Sequence, residues 1–211
     1  MKPSYVVPAS CACALLVLAC AQPLKADEEV HRQYQFETRD LTEIEFRGNV
    51  GEMHFSPSPD DNIHIDLVIA AEEHGWFSRR KDVDDLELES RVRGSRLVLT
   101  MDEEDTRSTW LVKLPVLERT TIDFGVGEVE GSFGATELSI DLGVGEVDIE
   151  LPRESTGAIE LSTGVGEARL RGGRETKVSR AFVSHDIHGR GEGDKEVRIE
   201  IGVGEIEVSL R

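Results

Sequence analysis

A three-residue motif, Val-Gly-Glu, occurs five times in this chain, and that repetition constrains the fold more than any other feature of the sequence. The last four copies each follow a further glycine. From the first glutamate to the last is 153 positions, close to eight intervals of about 19 residues, which is the range of a solenoid repeat. The copies are Val50-Gly51-Glu52, Val126-Gly127-Glu128, Val144-Gly145-Glu146, Val165-Gly166-Glu167 and Val203-Gly204-Glu205.

A spacing of about 19 residues also predicts a degenerate copy between Glu167 and Glu205. The run Phe182-Val-Ser-His185 fits that place, because His185 lies 18 residues after Glu167 and 20 before Glu205. If the copies stack, we expect Glu128, Glu146, Glu167 and Glu205, together with His185, to form one column at the spacing of neighbouring strands, about 4.8 Å.

Polar and apolar residues alternate with a period of two around the repeats, as in Ile63, Ile65, Leu67 and Ile69, which is typical of half-buried strands. Across a glycine pair the parity changes: Leu142 and Val147 are five positions apart. A turn or bulge at the glycines is needed for both to face one core. We therefore predict an all-β fold, a β-solenoid or repeated-strand sandwich with rungs of about 19 residues, as one domain over residues 34–211. The segment from Asp82 to Arg91 also suits a short helix by propensity.

Three segments of the sequence resemble a known family. They are Trp110-Leu-Val-Lys-Leu-Pro115, Thr121-Ile-Asp-Phe-Gly-Val-Gly-Glu-Val129 and Leu142-Gly-Val-Gly-Glu-Val-Asp-Ile-Glu-Leu-Pro152. They are similar to the bacterial putative-adhesin family of Gly-Asp/Glu β-strand repeats, a domain of unknown function related to the toast-rack domains of envelope-stress proteins. The acidic residue of that family is often Asp, whereas every copy here has Glu. The resemblance implies an exported, solenoid-like protein at the cell envelope.

The N-terminal residues predict export. Lys2 precedes an apolar run from Ala9 to Ala19, so residues 1–26 are typical of a signal peptide, with cleavage before Cys20, after Ala21 or after Ala26. Cleavage before Cys20 would give a lipoprotein with a lipid-modified Cys20, and either other site would give a freely soluble protein. All three cysteines lie in this leader, so we expect no disulfide and no cysteine nucleophile in the folded domain.

The charge of the chain limits its partners. Asp and Glu number 42 against 24 Lys and Arg, for a formal net charge of -18, and such an excess repels the phosphates of nucleic acids. The chain lacks a Walker loop, a Gly-x-Ser-x-Gly elbow and a His-Glu-x-x-His motif. The sequence predicts no enzyme, no catalytic residue and no cofactor. The expected partner is an envelope protein or a surface ligand, and membrane contact is expected only through a lipid anchor.

Two groups of residues are candidates for binding. The column of Glu128, Glu146, Glu167, Glu205 and His185 must either spread its carboxylates into solvent, which is the expected outcome, or gather a cation. The segment His74-Gly-Trp-Phe-Ser-Arg-Arg-Lys81 concentrates aromatic and cationic residues in an acidic chain. It predicts an interaction loop of Trp76, Phe77, Arg79, Arg80 and Lys81, or a cover over one end of the stack.

These observations predict an exported, non-enzymatic β-repeat protein, periplasmic or a lipoprotein of the outer membrane or cell surface. Its expected role is to present a rigid surface for adhesion or protein interaction. A regulatory or sensory component of envelope stress is the alternative. A carbohydrate-binding domain is a minor alternative, which needs an exposed aromatic platform at Trp76 or Trp110.

Overall fold

The computed structural model describes residues 29–71, 82–180 and 184–211. The predicted leader with Cys20 lies outside these residues. The predicted interaction loop, Trp76 to Lys81, also lies outside them, as do Phe182 and Val183 of the proposed degenerate repeat.

The described residues are folded into strands joined by short connections, as the alternating pattern predicts. In this part of the chain no helix has the length and hydropathy needed to cross a membrane. The strands are β1 (Glu29–Glu37), β2 (Glu43–Pro57), β3 (Asn62–Ala71), β4 (Glu89–Arg93), β5 (Arg96–Met101), β6 (Thr106–Leu114), β7 (Arg119–Ser132), β8 (Glu137–Leu151), β9 (Thr156–Arg171), β10 (Arg174–Arg180), β11 (His185–Arg190) and β12 (Lys195–Leu210).

The strands form one mixed sheet with a parallel centre. The parallel part runs β6-β2-β7-β8-β12-β9, and antiparallel strands extend it on both sides, β3-β1 beyond β6 and β11-β10 beyond β9. The second half of β2 pairs with β6. The first half of β2 pairs instead with β5, which carries β4 at its outer edge.

All five repeat copies lie side by side in the parallel centre. Gly51 pairs with Gly127, Gly127 with Gly145, Gly145 with Gly204 and Gly204 with Gly166, so the copies are in register. Their order in space differs from their order in the chain, because β12 inserts between β8 and β9. The last copy in the sequence therefore lies between the third and the fourth.

Each of the strands β7, β8, β9 and β12 bends at its glycine pair, so both of its halves face the same hydrophobic core. Along β8 the buried residues before the glycines are Leu138, Ile140 and Leu142, and those after them are Val147, Ile149 and Leu151. The four residues from Gly143 to Glu146 are not buried. The change of parity that the sequence required is therefore absorbed at the glycines, and the strand presents two apolar faces to one core.

Aromatic side chains fill the core beside β2. Trp110 is fully buried and contacts Phe46 and Phe124 edge to face, with ring centroids 6.0 and 6.2 Å apart. Its indole N–H donates to the Oγ of Ser108 at 2.9 Å. A buried indole needs such an acceptor, so Ser108 completes the environment of the tryptophan.

Two of the predicted elements differ in the structure. The first strand begins at Glu29, before Tyr34, since Val30 already packs into the core. The helical alternative for Asp82 to Arg91 is wrong: this segment is an irregular connection followed by β4. Val83 and Leu88 are both buried, and two residues five positions apart point to different sides of a helix and to opposite faces of a plain strand, so burying both requires the irregular backbone that is observed.

Candidate functional site

The bends of the five central strands align into three rows that cross the sheet. The first row contains glycines, because the neighbouring backbones approach too closely for a side chain. A Cβ on Gly145 would lie 1.7 Å from the carbonyl oxygen of Gly127, and one on Gly204 would lie 1.7 Å from that of Gly145. Gly145 also has φ at 156°, in a region that residues with a Cβ rarely adopt. The glycines therefore fix the backbone at the bend.

The second row contains valines that point away from the core. Val126, Val144, Val203 and Val165 are each 46 % exposed, in that order across the sheet, and Val50 continues the row as a half-buried residue. Neighbouring strands are about 4.8 Å apart, so the row is a continuous apolar stripe of nearly equal steps. Other exposed apolar residues of the sheet, such as Val92 and Leu111, occur singly, whereas these valines repeat at one position on neighbouring strands.

The third row contains the motif's glutamates, in the order Glu52, Glu128, Glu146, Glu205 and Glu167. The pKa of Glu128 is raised above its usual range, first by a hydrogen bond to the side chain of Glu130, then by partial burial. The charges of Glu130, Glu146 and Glu52 raise it further. The carboxylates of this row therefore repel one another across the strands.

Two arginines, Arg169 and Arg107, lie at this surface. At the β9 end, Arg169 lies 2.5 Å from a carboxylate oxygen of Glu167 and 3.9 Å from one of Glu205. At the β2 end, Arg107 lines the same surface. Of the glutamates in this row, Glu167 is therefore the one that an arginine neutralises most directly.

Together the rows form a shallow groove of about 460 Å³ over β2, β7, β8 and β12. Its floor is the glycine backbone, one wall is apolar and the other is acidic. Val126, Gly127 and Glu128 are one set of these lining residues, and Val144, Gly145 and Glu146 are the next. This groove is the candidate functional site, because it combines exposed apolar surface with unbalanced charge on a rigid backbone.

The structure brings four of the five predicted column residues together and leaves His185 out. Glu128, Glu146, Glu205 and Glu167 lie in one row, joined by Glu52, which the prediction omitted. His185 is wrong as a member: it lies opposite Thr163 on the antiparallel strand β11 and is only 5 % exposed. Over the described ranges, no cluster of three or more His, Cys, Asp or Glu side chains is arranged to hold a metal ion.

A second concave surface, of about 570 Å³, is lined by β11 and by the residues that precede the bends of β7, β8, β9 and β12. Its charges pair with one another across the strands. Arg119 lies 2.5 Å from a carboxylate oxygen of Glu137, and Arg198 lies 3.6 Å from one of Glu160. Because these cations and anions neutralise each other within the chain, this surface has less unsatisfied charge to offer a partner than the groove has.

Of the two tryptophans considered for a carbohydrate platform, Trp110 is ruled out. Its side chain has no exposed area, and its polar N–H is already bonded to Ser108. A sugar stacks on an exposed aromatic face, so this residue cannot supply the platform. Sequence reasoning missed its burial because Trp110 and Phe124, which packs against it, are 14 positions apart in the chain.

Protein-family profiles and curated proteins gave no match to this chain. In fold it is similar to a solved structure of a putative cell adhesion protein from Clostridium sporogenes, at TM-score 0.54 and 15% sequence identity, covering 87% of this chain and 100% of that one. A putative adhesin from Bacteroides fragilis gives TM-score 0.30 at 11% identity, covering 87% and 98% of the two chains. One from Parabacteroides merdae gives 0.28 at 10%, covering 67% and 58%. The first similarity supports the all-β fold.

Proposed function

We propose that this chain is an exported, non-enzymatic β-repeat protein of the bacterial envelope that presents a rigid surface for adhesion or protein interaction. The observation that carries the proposal is the groove over β2, β7, β8 and β12, in which in-register repeat copies place an apolar row beside an acidic row. Contact between half-exposed valines and water is unfavourable in free energy. A partner that covers the valines would remove this cost.

The rigidity of this surface comes from the glycine row. Each bend is fixed by close contact with the next backbone, so the valines and glutamates keep their spacing without support from loops. We propose that the repeats form a solenoid-like stack of rungs of about 19 residues, with β12 inserted out of order. Binding surfaces built on such repeats lose little conformational entropy when a partner docks.

Export and anchoring are part of the same proposal and rest on the sequence of residues 1–26. We propose that Cys20 becomes a lipid-modified N-terminus, which holds the domain at the periplasmic or outer face of the membrane. The intact mass of the native protein tests this step. A mass that carries acyl chains on Cys20 would support the anchor, and an unmodified N-terminus at Gln22 or Asp27 would refute it.

The function is tested by affinity capture from envelope extract, with the folded domain as bait and an unrelated acidic β-protein of similar net charge as control. The expected result is a partner retained specifically and saturably by this domain. Retention of the same proteins by the control would contradict the proposal. A deletion strain in which the output of envelope-stress genes changes while surface attachment is normal would favour the regulatory role instead.

A further inference from the structure

The two walls of the groove differ in chemistry, and this difference restricts what can lie between them. Val126 and Val144 offer apolar surface on one side, and Glu128 and Glu146 offer negative charge on the other, with only a glycine between each pair. A partner that covers both walls must therefore carry apolar groups beside cationic groups. A purely apolar partner would bury the carboxylates unpaired, which is costly.

A second copy of this chain does not fit that requirement. Two copies meeting at the groove would place each glutamate row against the other glutamate row or against the valine row, so neither arrangement supplies a cation, and each chain carries a formal net charge of -18. The row is already under repulsion, since neighbouring carboxylates raise the pKa of Glu128. A cationic partner would relieve this repulsion, whereas a second copy would increase it.

The spacing of the rows distinguishes a helix from an extended segment. Neighbouring rungs are about 4.8 Å apart, one turn of an α-helix rises 5.4 Å, and alternate residues of a strand are about 6.7 Å apart. Over three steps from rung to rung, the side chains of a helix are displaced from the rungs by about 2 Å, and those of a strand by almost 6 Å. Only the helix keeps successive apolar and cationic side chains opposite successive rungs.

We infer that the groove binds a basic amphipathic helix of a protein partner, laid across the strands. Apolar residues of the helix at positions i, i+4 and i+7 contact the valine row, and lysines or arginines beside them reach the glutamate row. The groove over four strands is about 14 Å long, which about 10 helical residues would cover. This inference rests on the proposed function, because it names the class of partner that the proposed surface binds.

The test uses three synthetic peptides of identical Leu, Ala and Lys composition and isothermal titration calorimetry at two salt concentrations. The first peptide places leucines at helical spacing with lysines beside them, the second alternates leucine and lysine as a strand would, and the third is scrambled. We expect the helical peptide to bind at least about tenfold more tightly than the other two. Equal binding of all three would overturn the inference, since it would show attraction by net charge alone.

Matched variants locate the binding. Val126→Ser with Val144→Ser removes part of the apolar wall, and Glu128→Gln with Glu146→Gln removes the central charges. We expect each pair of substitutions to weaken the binding of the helical peptide roughly tenfold. The controls are Val92→Ser with Val116→Ser, which are 63 % and 67 % exposed elsewhere, and Glu192→Gln with Glu196→Gln. If the controls weaken binding as much as the groove variants, the assignment to the groove is wrong.

Folding and the proposed function are checked separately. The four valines replaced are all exposed by at least 46 %, so thermal melting should show all variants folded. The capture experiment is repeated with the Val126→Ser, Val144→Ser variant. If that variant still retains the partner of the native domain, the groove inference fails and the proposed function stands. If the native domain retains no partner, the proposed function fails whatever the peptides show.

Discussion

The ring of His185 accepts a hydrogen bond at Nδ1 from the backbone N–H of Ala168, at 3.0 Å, across the junction between β11 and β9. An accepting Nδ1 carries no proton, so the ring is in the tautomer that is protonated at Nε2. Ala168 lies in the second half of β9, beyond the residues of β9 that pair with β11. The histidine thus satisfies a backbone donor at the point where the strand ladder stops.

Replacing His185 with Ala should destabilise the domain, because it leaves the buried N–H of Ala168 without this acceptor and leaves a cavity. We expect a loss of about 1–3 kcal/mol in the free energy of unfolding, measured by urea denaturation. Hydrogen exchange at the Ala168 amide should accelerate more than at amides elsewhere in β9. The half-buried His188 on the same strand is the control, and its Ala variant should be less destabilised. Equal losses for the two variants would show that the hydrogen bond is unimportant.

Gly145→Ala should disrupt the row of bends. The new Cβ would lie 1.7 Å from the carbonyl oxygen of Gly127, and neither backbone can move without disturbing the next strand. We expect a loss of at least about 3 kcal/mol or failure to fold. The control is Gly94→Asn, because φ at Gly94 is 63°, the space around it is open, and Asn tolerates that conformation. A folded Gly145→Ala protein with unchanged melting temperature would contradict the close stacking of the glycine row.

Glu128→Gln should raise the melting temperature at pH 7. The pKa of Glu128 is raised in the folded state, so ionising this group costs the folded protein stability at every pH above that pKa. The cost is absent below the unfolded value of about 4.3, and the variants should converge there. High salt should also reduce the difference. The matched control is Glu167→Gln, which loses its contact with Arg169 and should be neutral or slightly destabilised. A lower melting temperature for Glu128→Gln would show that its carboxylate is favourably paired.

Asp60 should contribute a pH-dependent part of the stability. A hydrogen bond from the ring Nε2 of His64, at 2.9 Å, is the main cause that lowers the pKa of Asp60 to about 2, and the backbone N–H of Asn62 adds to it. A lowered pKa means that the stabilisation is complete above the unfolded value of about 3.9 and is lost as the pH falls towards 2. Asp60→Asn should therefore melt lower than the native protein at pH 5, and this difference should shrink by pH 2. A difference that stays constant over this range would refute the assignment.

Much of the fold follows from local sequence. A period of two predicts strands because successive side chains point to opposite faces, and the parity break between Leu142 and Val147 predicts a bend at the glycines. The repetition of Val-Gly-Glu predicts that the copies lie side by side. Since the alternation and the parity break lie within about 20 consecutive residues, and the repeat is visible by comparing the copies along the chain, the sequence by itself is enough to specify them. The glutamate row was found in this way, apart from Glu52, whose copy lacks the preceding glycine.

The order of the strands was decided only by the tertiary structure. The repeat copies of β9 and β12 are nearly identical, so either strand could form the same backbone hydrogen bonds with β8. No local feature of the sequence distinguishes the two. The choice of β12 depends on packing over the whole core and on the β10–β11 hairpin, which occupies the other side of β9. That hairpin also turns His185 inward, away from the row that its spacing predicted. Likewise, Trp110 is buried by Phe46 and Phe124, which are distant in the chain and meet it only when the strands assemble. Non-local packing selects among pairings that local sequence leaves equivalent.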